Sequence, residues 1–167
     1  MADLFDYLDW RGDLPMDRVP PNPVDTLILS ELSYIDFAGL VPGDFLHPVP
    51  LKVAAEAFAA LPDREDRDRV RQDGALLAAC AQAPRFADLK LCFYRSELLP
   101  QLQSQFAAVT YLLPDGTLYL AFRGTDDTLV GWKESFSMAY HFPVTGQQLA
   151  EAYIGKVAAK LPGKLRL

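Results

Sequence analysis

Val24, Leu27, Ile28, Leu32 and Ile35 recur at the spacing of one helix face, which predicts a helix whose apolar stripe packs on a core. Asn22-Pro23-Val24-Asp25 gives that helix its start: Asn caps, Pro fits the first helical position, and Asp sits near the positive end of the dipole. The pattern runs to about Asp36. Val53, Ala54, Ala57, Phe58 and Leu61 repeat the spacing, as do Val70, Gly74, Leu77 and Ala81, so two more amphipathic helices are expected. The linker Pro62-Asp63 and the block Pro84-Arg85-Phe86 bound the second of these. Before all of them, residues 1–21 are polar and turn-rich and read as a loosely packed N-terminal arm.

From Leu89 the pattern shifts to aromatic and β-branched residues. Leu89–Ser96 reads as a strand, Gln105–Leu113 as a stronger one and Thr117–Phe122 as a third. Pro114-Asp115-Gly116 supplies a turn in which Gly takes positive φ, so the last two strands form a hairpin. Two helical stretches follow, Leu129–Tyr140 and Thr145–Leu161, the latter with Leu149, Tyr153, Val157 and Leu161 on one stripe. Pro162-Gly163 ends it. Lys164-Leu165-Arg166-Leu167 then alternates like the start of a strand, and strand-helix-strand order is the usual route to parallel pairing. The whole is a mixed α/β pattern with an N-terminal arm at 1–21 and a single domain over 22–167.

Composition narrows the function. An apolar share of 50% in 167 residues supports a real core, and a net charge of −6 with no basic run argues against nucleic acid as a partner. The opening Met1-Ala2-Asp3-Leu4-Phe5-Asp6 is acidic where a secretory signal is basic. No apolar run approaches the ~20 residues that span a bilayer, so a cytoplasmic protein without a transmembrane segment is expected. Cys80 and Cys92 are too few for a disulfide framework and read as buried free thiols. No Cys/His spacing resembles a metal site, and no cofactor is expected. Arg11-Gly12-Asp13 is set aside as a chance tripeptide.

The chemistry concentrates in Phe122-Arg123-Gly124-Thr125-Asp126-Asp127-Thr128. A strand ending in a Gly turn that opens a helix leaves backbone N–H groups unpaired, and such donors hold the oxygen that gains negative charge in acyl transfer. Arg123 reads as a strand-end residue paired with a carboxylate, Trp132 as core. Asp126 and Asp127 either cap the next helix or orient Thr125 and line a pocket.

A strand, then Phe-Arg-Gly-Thr, then a helix with Trp132 resembles the class 3 lipases of the α/β-hydrolase fold. Four blocks resemble more closely an uncharacterised bacterial lipase-like family: Trp10-Arg11-Gly12-Asp13, Leu27 to Tyr34, Gln105 to Thr110, and Phe122 to Thr128 with Gly131-Trp132-Lys133-Glu134. The resemblance implies the N-terminal half of an α/β-hydrolase-like sheet and a serine ester hydrolase with Thr125 as an oxyanion-hole donor, Gly124 letting the backbone approach. The chain departs from the pattern at Ser135, where related lipases carry an acid; Glu134 is the neighbouring substitute.

A nucleophile is missing. Ser30, Ser33, Ser96, Ser104, Ser135 and Ser137 all lack a Gly-x-Ser-x-Gly elbow, and no acid and His follow one. Ser137 with His141 is a chance pairing, His47 a loop residue, and nothing near Cys92 lowers its pKa. The expectation is therefore an oxyanion-side portion, inactive alone, that ends just before the nucleophile elbow and takes a small acyl ester only once a C-terminal half is supplied. The alternative is a non-catalytic module that self-associates or binds a separately encoded half through an exposed sheet edge.

Overall fold

The strand that stands out most clearly in the sequence, β3 (Ser104–Leu112), is the centre of the sheet. The structure, a computed structural model, describes residues 3–68, 72–99, 104–124, 142–161 and 164–166. Five strands lie in chain order: β1 (Val49–Pro50), β2 (Lys90–Leu99), β3, β4 (Thr117–Phe122) and β5 (Lys164–Arg166). The first four pair antiparallel and β5 pairs parallel with β4. The expected hairpin is present, with Tyr111 opposite Tyr119 and Gly116 at φ 78° in the turn. Asp115 accepts the Thr117 N–H across that turn.

Helices cover both faces, and the alternation of side chains along β3 and β4 explains why. Val109, Tyr111, Tyr119 and Ala121 point to one core, which α2 (Pro23–Glu31), α3 (Leu51–Ala59) and α5 (Asp73–Gln82) close with Ile28, Leu51, Phe58 and Leu77. Phe106, Ala108, Leu118 and Leu120 point to the other, which α6 (Thr145–Lys160) closes with Tyr153 and Val157. A strand covered on both sides needs apolar residues at successive positions, which is why Phe106 to Tyr111 read so strongly. One hydroxyl pair pins each layer: Ser30 to Tyr119 at 2.8 Å on the α2 side, and Thr110 to Tyr153 at 2.7 Å on the α6 side.

Three expectations need correction, and two short elements are additions. The arm at 1–21 is not loose: α1 (Leu4–Arg11) is capped by Asp3, whose carboxylate accepts the Phe5 and Asp6 N–H groups, and Met16 is buried. The α2 helix ends at Glu31 and tightens into a 3-10 turn over Leu32–Tyr34, after which Ile35 is extended and bridges to Asp68. Both Leu32 and Ile35 still reach the core, so the apolar spacing outlasts the helix. A short helix, α4 (Arg64–Arg67), and the two-residue β1 carried no usable periodicity. Where the pattern started a helix at Val70, α5 starts at Asp73, its first N–H groups capped by the Asp68 carboxylate, which Gly74 reaches at 2.9 Å. The expected helix over 129–140 and the Pro162-Gly163 stop lie outside the described residues.

Strand β2 carries a bulge. Cys92 pairs with Thr110 but Arg95 with Ala108, so β2 has one more residue than β3 over that interval. Phe93 takes up the excess at φ 51°. Its ring stacks between Phe45 at 4.1 Å and Tyr153 at 4.8 Å, its carbonyl accepts the Tyr153 hydroxyl at 2.9 Å, and its N–H donates to the Asp44 carbonyl. Both thiols are buried as expected, one in each core, and burial pushes Cys80 up to about 12 and Cys92 up to about 11. They stay protonated and unreactive at neutral pH.

Candidate functional site

Strand β4 delivers Arg123 and Gly124 to its C-terminal end. The Arg123 N–H donates to the Ala107 carbonyl at 2.9 Å, carrying the β3 pairing one residue past the strand. The alternation that puts Phe122 against α6 puts Arg123 on the opposite face, where its charge acts on Tyr94. The Tyr94 hydroxyl donates to Asp36 at 3.2 Å, and burial, with the Asp36 charge, pushes it up to about 12. Arg123 forms no ion pair among the described residues, and its Nη1 is buried without a partner. Its expected carboxylate partner near Ser135 lies outside the described residues, as do Thr125, Asp126, Asp127 and Trp132.

One residue at this strand end was not foreseen. A Cβ placed on Gly124 would lie 2.8 Å from the Tyr34 hydroxyl oxygen, closer than side-chain atoms pack. Tyr34 closes the 3-10 turn after α2, so the block Leu27 to Tyr34 and the Phe-Arg-Gly block meet here. The Tyr34 hydroxyl takes the space that a side chain at Gly124 would need. Gly124→Ala is therefore expected to destabilise by about 1 kcal/mol, the low end for overpacking because the tyrosine tip can swing away. Adding Tyr34→Phe should recover most of that loss in urea denaturation; no recovery would mean that the contact is not what excludes a side chain.

Two cavities among the described residues lie elsewhere, and neither is lined by Tyr34, Arg123 or Gly124. One, of about 250 Å³, sits between α3 and α5 against Phe58, Asp68 and Gly74. The other, of about 290 Å³, is lined by Asp73 at the start of α5 together with residues of α1 and Glu31 of α2. Asp73 is 4% exposed, and burial, reinforced by the Asp68 and Glu31 charges, pushes its carboxyl up to about 7. The unfolded value is roughly 3.9, so the folded chain holds a proton there that the unfolded chain has already released. Stability accordingly falls as pH rises from about 4 to about 7 and is level above that. Asp73→Asn should remove the slope, with a gain on the order of 1–3 kcal/mol at pH 8 and little at pH 4, read by urea denaturation at both.

Architecture and site together define a mixed α/β domain with a covered sheet and a glycine just past the end of β4. Residues 80–167, which contain β2 to β5 and the Phe-Arg-Gly-Thr run, match the Mbeg1-like family, and the chain belongs to it. No curated protein and no solved structure matches the chain. Among the described residues no helix is long and apolar enough to cross a membrane.

Proposed function

We propose that this chain is the N-terminal portion of a lipase-like or esterase-like serine hydrolase, and that it contributes the oxyanion side of the site. The observation that carries this reading is the end of β4: a strand stops at Arg123-Gly124 beside a parallel neighbour, β5, reached through α6. In open α/β sheets ligands bind outside the carboxyl ends of the strands, and β4 and β5 present those ends on the same side. Gly124 leaves room for the backbone to approach a substrate carbonyl. Thr125, next along, would donate through its N–H and hydroxyl to the developing oxyanion, a contribution of about 3–4 kcal/mol to the transition state. The fold in this reading is the N-terminal half of an α/β-hydrolase-like sheet, and its substrate a small carboxylic ester.

No Gly-x-Ser-x-Gly elbow occurs in these 167 residues, so the half-site is inactive by itself. With an activated short-chain ester, neither burst nor turnover is expected. Hydrolysis that persists on purification and is lost in Thr125→Gly would overturn this reading. An in-frame Gly-x-Ser-x-Gly within about ten codons after Leu167 is the positive counterpart, since the elbow follows its strand directly.

A second reading rests on the position of β5, last in the sheet order, with Leu165 exposed. An open edge recruits strands, so a non-catalytic module would pair there with a second copy or a separate half. Solution mass separates the two: a stable homodimer broken by Leu165→Pro favours the module.

A further inference from the structure

The cavity beside Asp73 has walls that no role at β4 explains. Its carboxylates come from three separate places: Asp3 before α1, Glu31 at the end of α2 and Asp73 at the start of α5. Leu4, Phe5 and Leu76 supply apolar surface between them. No Lys or Arg is among the described residues that line it. Asp73 is the telling group, because it is buried and its Oδ2 finds no hydrogen-bond partner. Burying a carboxylate oxygen without a partner is costly, and one way native proteins sustain it is a ligand or ion that completes it. The carboxyl torsion of Asp is broad, so a small rotation turns either oxygen to the cavity.

We infer that this cavity is a binding site for an organic cation, an ammonium group carried on a small apolar body. The ammonium sits against Asp73 with Glu31 and Asp3 around it, and the apolar body lies on Leu4, Phe5 and Leu76. A metal ion fits less well: among the described residues no three acidic, His or Cys side chains converge as ligands. The volume of about 290 Å³ is at the small end of ligand pockets, which sets the size of the body. Among the described residues, the charged groups acting on Asp73 are Asp68 after α4 and Glu31 on α2, both acidic, and Asp3 shares the cavity wall. Asp68 and Glu31 repel its charge, and a bound cation offsets both. Binding therefore tightens as pH rises from about 6 to about 8, because the ligand takes the deprotonated Asp73. The site is separate from the ester chemistry and does not depend on it.

Titration of the ¹⁵N-labelled chain with phenethylamine tests this, read at the amides of Leu4, Phe5 and Leu76. Saturable shifts are expected, absent with 2-phenylethanol, which has the same body and no charge. Asp73→Asn should weaken binding by about tenfold or more while leaving the fold intact, because it removes charge repulsion and keeps shape. Glu31→Gln, on a surface wall, should weaken it less. Nα-acetyl-lysine amide, whose side-chain ammonium is free, tells the source of the ammonium as a second probe: binding of it as well as phenethylamine points to a partner's lysine, and binding of phenethylamine alone to a free amine. The inference fails if neither amine binds, if the alcohol binds equally, or if Asp73→Asn binds as tightly as the unaltered chain.

Discussion

Arg85→Met is expected to cost about 3–5 kcal/mol of unfolding free energy. Arg85 and Asp25 form an ion pair with both side chains fully buried. The carboxylate is satisfied from every side: Arg85 Nε donates at 2.6 Å and Nη2 to the second oxygen, while the Tyr7 hydroxyl and the Asn22 N–H each donate at 2.8 Å. The guanidinium spends its other donors on carbonyls of Leu14, Val19 and Pro20. One side chain thus holds the loop after α1, the start of α2 and the turn after α5. Removing it strands a buried charge and three carbonyls at once, and burial that was offset becomes a penalty. Asp25→Asn in the Arg85→Met background separates these losses. If the stranded charge dominates, the double variant recovers at least about 1 kcal/mol over Arg85→Met alone in urea denaturation. Equal stability of the two would place the loss in the orphaned carbonyls.

Phe93 is expected to reverse the usual order of alanine and glycine. Phe93→Ala removes a ring stacked on Phe45 and Tyr153 with Arg95 over it at 5.0 Å, and large-to-small changes at such sites cost about 3–5 kcal/mol. Alanine also keeps the strain of a residue with a Cβ at φ 51°. Phe93→Gly loses the same ring but relieves that strain, so it should be the more stable variant by about 1 kcal/mol. Elsewhere in a strand glycine is the worse choice by a similar amount. Thermal unfolding of the pair decides it, and alanine proving more stable than glycine would mean that the bulge relaxes once the ring is gone.

These two sites also mark where the sequence was legible and where it was not. The strands β3 and β4 and their turn stood out because burial on both faces and a Pro-Asp-Gly turn are local signals. The β2 bulge did not, since Leu91 to Tyr94 is apolar throughout and nothing in it shows which residue is the extra one. Asp25 reads as a first-turn acid and is one; its pairing with Arg85, sixty positions on, has no local signature. Helix α1 was missed because it buries little more than Leu8 along eight residues, too short a run for periodicity to speak. At the strand end, Arg123 and Gly124 were legible from the motif. Tyr34 was not, because its contact with Gly124 joins distant parts of the chain and shows only when the fold brings them together.

The order of the strands has a bearing on how the domain assembles. Because β2 to β4 neighbour one another in space as they do along the chain, each antiparallel pairing among them closes a modest stretch of backbone and costs little loop entropy. The β3–β4 hairpin, with the shortest closure, is the natural seed, and β2 adds to it across its bulge. Folding would then be limited by the long-range steps: α6 crossing to lay β5 against β4, and Arg85 reaching back to Asp25 to lock down the amino-terminal helices.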